Sequence, residues 1–160
     1  MSGATQLRRS RRLVPGAVLL LAAASVAFAA ACSNQSVSAD PAVAPFVGDW
    51  AADTLILTSQ ADPQTSLDLV ALGATFTLNV QPSGQYTAIL IYSGQTNTEF
   101  GKLEVSGQTL TLHPTGSSPA TAGTYSFNGD HLVLDGDTEF DFNLDGTNEP
   151  ALVHIDFVKK

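Results

Sequence analysis

The stretch GATFTLNVQPSGQYTAIL, residues 73–90, decides the fold. Phe76, Leu78 and Val80 alternate with Thr75, Thr77 and Asn79. A period of two puts one side of a strand against a core and the other in water. Pro82-Ser83-Gly84 then supplies turn chemistry, and the pattern resumes beyond it. The same alternation recurs down the chain: Leu103 and Val105 against Lys102 and Glu104, then Leu110 and Leu112 against Thr109 and Thr111. Tyr125 and Phe127, then Leu132 and Leu134, stand on either side of Asn128-Gly129. In the last run Val153, Ile155 and Phe157 share a face that His154 and Asp156 do not. Further turn signals lie at Ser93-Gly94, Ser106-Gly107, Gly116 to Pro119, Asp135-Gly136 and Asp145-Gly146.

This spacing predicts about eight or nine strands joined by hairpin turns, an antiparallel meander. Only Pro63 to Leu72, with Leu67, Leu69, Val70 and Leu72, suits a helix, of one or two turns. A meander of that length with one apolar face must close or fold over to bury it, and closure also removes the strand edges that pair with other chains. The fold expected is all-β, a small antiparallel up-and-down barrel of about eight strands, with a two-sheet sandwich as the alternative.

Charge narrows the partners. The chain has 160 residues and a formal charge of −8, but Arg8, Arg9, Arg11 and Arg12 stand in the first dozen residues and all fifteen acids lie at Asp40 or later. From Cys32 onward three lysines oppose the fifteen acids, a net −12. Such a surface repels phosphate backbones, so no nucleic-acid partner is expected. A single Cys excludes an intramolecular disulfide and a cysteine-rich metal site.

The N-terminal segment reads as an export signal. A basic RRSRR, residues 8–12, precedes the apolar run Leu13 to Ala31, which is about as long as a membrane span; a spanning anchor is the competing reading. Ala29-Ala30-Ala31-Cys32 resembles the lipobox of bacterial lipoproteins, although Ala29 stands where Leu is usual. The resemblance implies cleavage before Cys32 and lipid on its thiol, several acyl chains together giving stable attachment to a membrane. Ser33 follows, which resembles cargo sorted to the outer membrane where a cell has two. The expected organisation is a lipoprotein signal peptide at 1–31, a flexible tether at 32–45 and the barrel domain at 46–160, located in the cell envelope.

Phe46-Val47-Gly48-Asp49-Trp50 opens the domain with Gly-x-Trp, and GKLEVSGQTLTLHP (101–114) and AGTYSFNGDHLVLDG (122–136) carry the cadence Gly-x-Tyr followed by x-Val-x-Gly-(Asp/Gln)-x-Leu-x-Leu. These residues resemble the lipocalin signature and the lipocalin-like domains of bacterial lipoproteins. The resemblance implies that Trp50 plugs the closed end of the barrel and that a small apolar ligand enters the mouth. Longer lipocalins add a C-terminal helix, for which this chain leaves no room. An eight-stranded barrel is just wide enough to be filled by side chains or to hold one small ligand. A filled core is therefore the plain alternative. Tyr86, Tyr92 and Tyr125 would offer hydroxyls at the rim, with Trp50 completing the ligand-binding set.

The sharpest local motif is Asp141-Phe-Asn143-Leu-Asp145-Gly146-Thr147-Asn148-Glu149. Oxygen donors at positions 1, 3, 5 and 9, a Gly at 6 and the Thr147 carbonyl at 7 suit calcium, and the run resembles strand-flanked DxDxDG loops. Position 12 is Leu152, so the bidentate carboxylate of an EF-hand is missing. A plain acidic hairpin loop is the alternative. His113, His131 and His154 do not have zinc-ligand spacing. No Gly-x-Ser-x-Gly is present, and a phosphate-cradling loop would need a following helix, so no enzyme is expected. Two functions are expected in its place. One is an envelope-anchored monomer binding a small apolar or amphipathic ligand. The other is a protein-interaction or inhibitor module of the envelope, acting through Leu67 to Leu72 or Ser93 to Asn97 on a cationic partner, with a calcium-stabilised loop.

Overall fold

The computed structural model describes residues 40–160; the expected signal peptide, Cys32 and the expected tether up to residue 39 lie outside the described residues. The strands are β1 (Gly48–Ser59), β2 (Ser66–Asp68), β3 (Thr75–Val80), β4 (Gln85–Tyr92), β5 (Gln95–Ser106), β6 (Thr109–Pro114), β7 (Thr121–Asn128), β8 (His131–Phe140) and β9 (Glu149–Lys159). From β3 each strand pairs antiparallel with the next, and β9 returns along β1 from Trp50↔Lys159 to Ser59↔Ala151. The sheet closes, an eight-stranded up-and-down barrel with β2 as an extra strand, and the sandwich is excluded.

Pairing keeps side chains of one face together, so the register identifies the lining. Trp50, Leu78 and Ala88 face inward together, as do Leu103 with Leu112 and Leu132 with Phe157. The alternations of β3, β6 and β9 therefore point as their sequence predicts. Ser93-Gly94 makes a two-residue hairpin between Tyr92 and Gln95, both residues at positive φ (50° and 76°), which matches the twist of the flanking strands.

Pro63 to Leu72 is not helical. β3 pairs only with Gly48–Ala51 of β1, which leaves the far half of that edge open, and β2 takes it through Ile56↔Asp68 to Thr58↔Ser66. The Asp68 carboxylate accepts the N–H groups of Leu55 (3.3 Å), Val70 (3.0 Å) and Ala71 (3.3 Å), fixing a turn where a helix was expected. A free strand edge and a local acceptor outweighed a short apolar run of ambiguous period. The turn lays Leu69 and Ala74 into the core and caps the barrel above β1 and β3.

Asp40–Pro45, read in the sequence as the end of the tether, also folds against the barrel. The Asp40 carbonyl accepts from Val43 and Ala44, a 3-10 turn runs over Ala44–Phe46, and Val43 and Phe46 are buried.

Candidate functional site

The two ends of the barrel are built differently. At one end Trp50, 1 % exposed, donates its indole N–H to the Phe46 carbonyl at 2.8 Å. Phe46 meets Tyr125 edge-on at 5.0 Å and Phe127 at 5.6 Å, and the Lys159 ammonium lies 5.2 Å from the centre of the Trp50 ring. Val80, Leu103, Leu110, Leu132 and Phe157 are buried beneath them. This end is plugged.

At the other end the Leu69–Ala74 turn covers the β1 and β3 side, Leu69 and Ala74 being buried, and the wall is incomplete only at β6 and β7. β6 stops at Pro114, paired with Gly101, and β7 starts at Thr121. Gln95 to Phe100 of β5 therefore run on without β6 beside them, apart from the Thr115 N–H donated to the Phe100 carbonyl at 2.7 Å. Across the gap, Asp137 to Phe140 of β8 pair with β9 alone. The notch is two strands wide, roughly 14 Å at the usual inter-strand spacing. Around it the inward side chains Phe76, Leu90, Tyr92, Leu112, Leu134, Phe140 and Val153 are only half-buried.

At the foot of the notch Gly123 and Gly136 face each other across β7 and β8. A Cβ on Gly123 would lie 2.6 Å from the Asp135 carbonyl oxygen, so the strands approach as only glycine allows. The bare wall leaves an apolar recess of about 90 Å³ lined by Leu110, Leu112, Leu134, Val153 and Ile155. At about 30 Å³ for a water-sized group, that is room for roughly three such groups, well short of a drug-sized ligand. The larger depressions, of about 740, 320 and 410 Å³, are on the outer surface: beside Asp40 and Lys102, over Asp49 and Ile89, and over Asp135 and His154.

One acid of the strand lining lies at the edge of the notch. Glu99 pairs with inward Ala88 and accepts the Tyr86 hydroxyl at 2.6 Å. The Tyr86 ring crosses Gly101, where a Cβ would meet it at 2.7 Å and would strike the His113 carbonyl. Burial, then the hydrogen bond and charge of Glu99, push the Tyr86 hydroxyl far above the ordinary tyrosine range, so it remains a donor. Glu99 was missed in the sequence because the apolar alternation breaks there. Counting back by twos from Leu103 finds it, together with Asn97 and Gln95.

The expected ligand set is thus divided between the ends. Tyr92 is inward and half-buried at the open end, and Tyr86 sends its hydroxyl there to Glu99. Trp50 and Tyr125 belong to the plug, Tyr125 donating to the Gly107 carbonyl at 3.1 Å.

The Asp141–Glu149 loop joins β8 to β9 at the open end and is closed by its own N–H groups. Asp141 accepts from Asp145 (3.2 Å) and Gly146 (2.8 Å), Asn143 from Asp145 (2.8 Å), and Asp145 from Thr147 (2.8 Å). Glu149 accepts from the Phe142 N–H at 3.0 Å and the Asn143 amide at 2.7 Å. Among the described residues no three His, Cys, Asp or Glu side chains converge as metal ligands. The histidines are on the outer wall, each beside one carboxylate: His113 and Glu104 at 3.2 Å, His131 and Asp156 at 3.2 Å, His154 and Asp135 at 2.6 Å. The hydrogen bond that the His131 ring donates to the Asp156 carboxylate raises the His131 pKa above the ordinary imidazole range.

Compared with protein-family models the chain matches none, and no curated protein matches it in sequence. The barrel and its two unlike ends carry the functional reading.

Proposed function

We propose that this chain is an envelope lipoprotein whose lipocalin-like barrel binds a small apolar or amphipathic ligand at its open end, binding rather than catalysis being its role. The observation that carries the reading is the contrast between the plugged end and the notch, with half-buried apolar side chains leading to an apolar recess. The small recess argues for a ligand lying mostly among Phe76, Leu90, Tyr92 and Phe140, with only its tip inside. The Gly-x-Trp opening and the Ala29-Ala30-Ala31-Cys32 lipobox support the family and the anchor, with lipid on Cys32 and an outer-membrane location where there are two membranes. Native mass spectrometry of the protein released from membranes tests the ligand: a co-purified small molecule, lost when Leu112→Trp fills the recess, is the expected result. Labelled palmitate, incorporated by the wild type and not by Cys32→Ala, tests the anchor.

A second reading, a protein-interaction or inhibitor module, draws on the β4–β5 hairpin. Beyond the end of β6 it carries Ile91 (44 % exposed) and Phe100 (57 %) on its outer side. Cross-linking to an envelope protein that fails in Phe100→Ser would favour it. Under either reading Asp141, Asn143, Asp145, the Thr147 carbonyl and Glu149 would hold calcium weakly, because Glu149 must first release Phe142 and Asn143.

A further inference from the structure

We propose that the open end selects an amphipathic cation, a primary ammonium held by the Glu99 carboxylate with its apolar tail directed to the Leu110–Leu112 recess. This deepens the barrel-mouth reading and rests on it. The register makes Glu99 the one carboxylate along the inward faces of β3 to β8; Glu149, at the rim, is engaged by Phe142 and Asn143. Tyr86 donates to Oε1 alone, which leaves the other oxygen of Glu99 to accept from a ligand. An ammonium supplies three donors and the full opposite charge, and a hydrogen bond between ions is roughly twice as strong as a neutral one.

The surroundings favour the same sign. On the far side of the notch Asp137, which accepts the Gln60 amide, and Glu139 stand on the outer face of β8, and Asp141, Asp145 and Glu149 follow in the adjoining loop. The three lysines among the described residues are all elsewhere. Lys102 borders the groove beside Asp40, Lys159 covers Trp50, and the Lys160 N–H donates to the Asp49 carbonyl. The field at the mouth therefore attracts cations and repels fatty carboxylates. Length is fixed by the strand. Glu99 is four residues from Leu103, the partner of Leu112, so head and tail sites are about 13 Å apart and suit a tail of roughly ten carbons.

The test uses the full chain with three probes of one tail length: decylamine, decanol and decanoate. Decylamine is expected to bind at least tenfold tighter than decanol, decanoate weakest, with added salt weakening decylamine alone. Glu99→Gln, whose amide oxygen still accepts the Tyr86 hydroxyl, is expected to bring decylamine to the level of decanol. Glu104→Gln, the same charge change on the outer face of the same strand, is expected to leave the preference intact. Equal binding of amine and alcohol by the wild type overturns the ammonium site and leaves the barrel-mouth reading standing. Equal loss in the Glu99→Gln and Glu104→Gln variants also overturns the site, assigning the preference to net charge. Failure of all three probes to bind overturns both.

Discussion

The plugged end and the open end of this barrel are made from the same hairpins, yet they differ in how completely the lining is covered. At the plug an aromatic lid covers the lining, Phe46 over Trp50 with Tyr125 and Phe127 alongside, although Tyr125 and Phe127 run past the start of β6 and Phe127 stays 37 % exposed. At the mouth β6 and β7 are too short to reach the rim, and the side chains behind them stay half-buried. Aromatic packing is concentrated at one end and unpaired wall at the other, and elements with fewer buried contacts open at lower free energy.

The sharpest way to break this contrast is a pair of truncations. Trp50→Ala, at the plug, is expected to cost about 3–5 kcal/mol in denaturant unfolding, while Tyr92→Ala at the mouth is expected to cost well under half of that. Equal losses would mean that the ends are not built differently. Gly101→Ala comes next, at about 1–3 kcal/mol, because its methyl meets the Tyr86 ring and the His113 carbonyl. The Tyr86 hydroxyl should then leave Glu99, visible as a fall in the tyrosine titration toward its ordinary range.

Calcium sharpens the comparison at the mouth alone. At 1 mM cation and a dissociation constant of roughly 10⁻⁴–10⁻³ M, thermal unfolding should report about 0.4–1.4 kcal/mol of added stability, absent in Asp145→Ala. The smallest effect is electrostatic and near the plug. His131 should titrate above 6.5 by NMR, and Asp156→Asn should return it to the ordinary range. A raised folded pKa means that the pairing stabilises fully below 6.5, the unfolded value, and that this contribution fades as pH rises through the folded value. The His131 side chain is about half exposed, so solvent screens the pair and the titration rather than the unfolding curve is the readout.

Much of the barrel was legible because a period of two declares its inner face whenever the alternation is strong, as in Phe76-Leu78-Val80 or Val153-Ile155-Phe157. Glu99 was not, because no apolar neighbour at 95 or 97 marks which face is inward. Leu67 to Leu72 misled for a related reason: a short apolar run suits a helix turn and a strand equally, and only the free edge of β1 chose between them. Tyr86, Tyr92 and Tyr125 were expected together at one rim, and the fold divides them between the two ends.

The chain alone determined that consecutive hairpins would carry one apolar face and have to bury it, because alternation and turn residues are local properties. How far β6 and β7 climb beside β5 and β8 was decided only in three dimensions, because that depends on the stagger of strands around a closed sheet. The same stagger opened the notch, brought Tyr86 across Gly101 to Glu99, and left two glycines facing across an empty piece of wall.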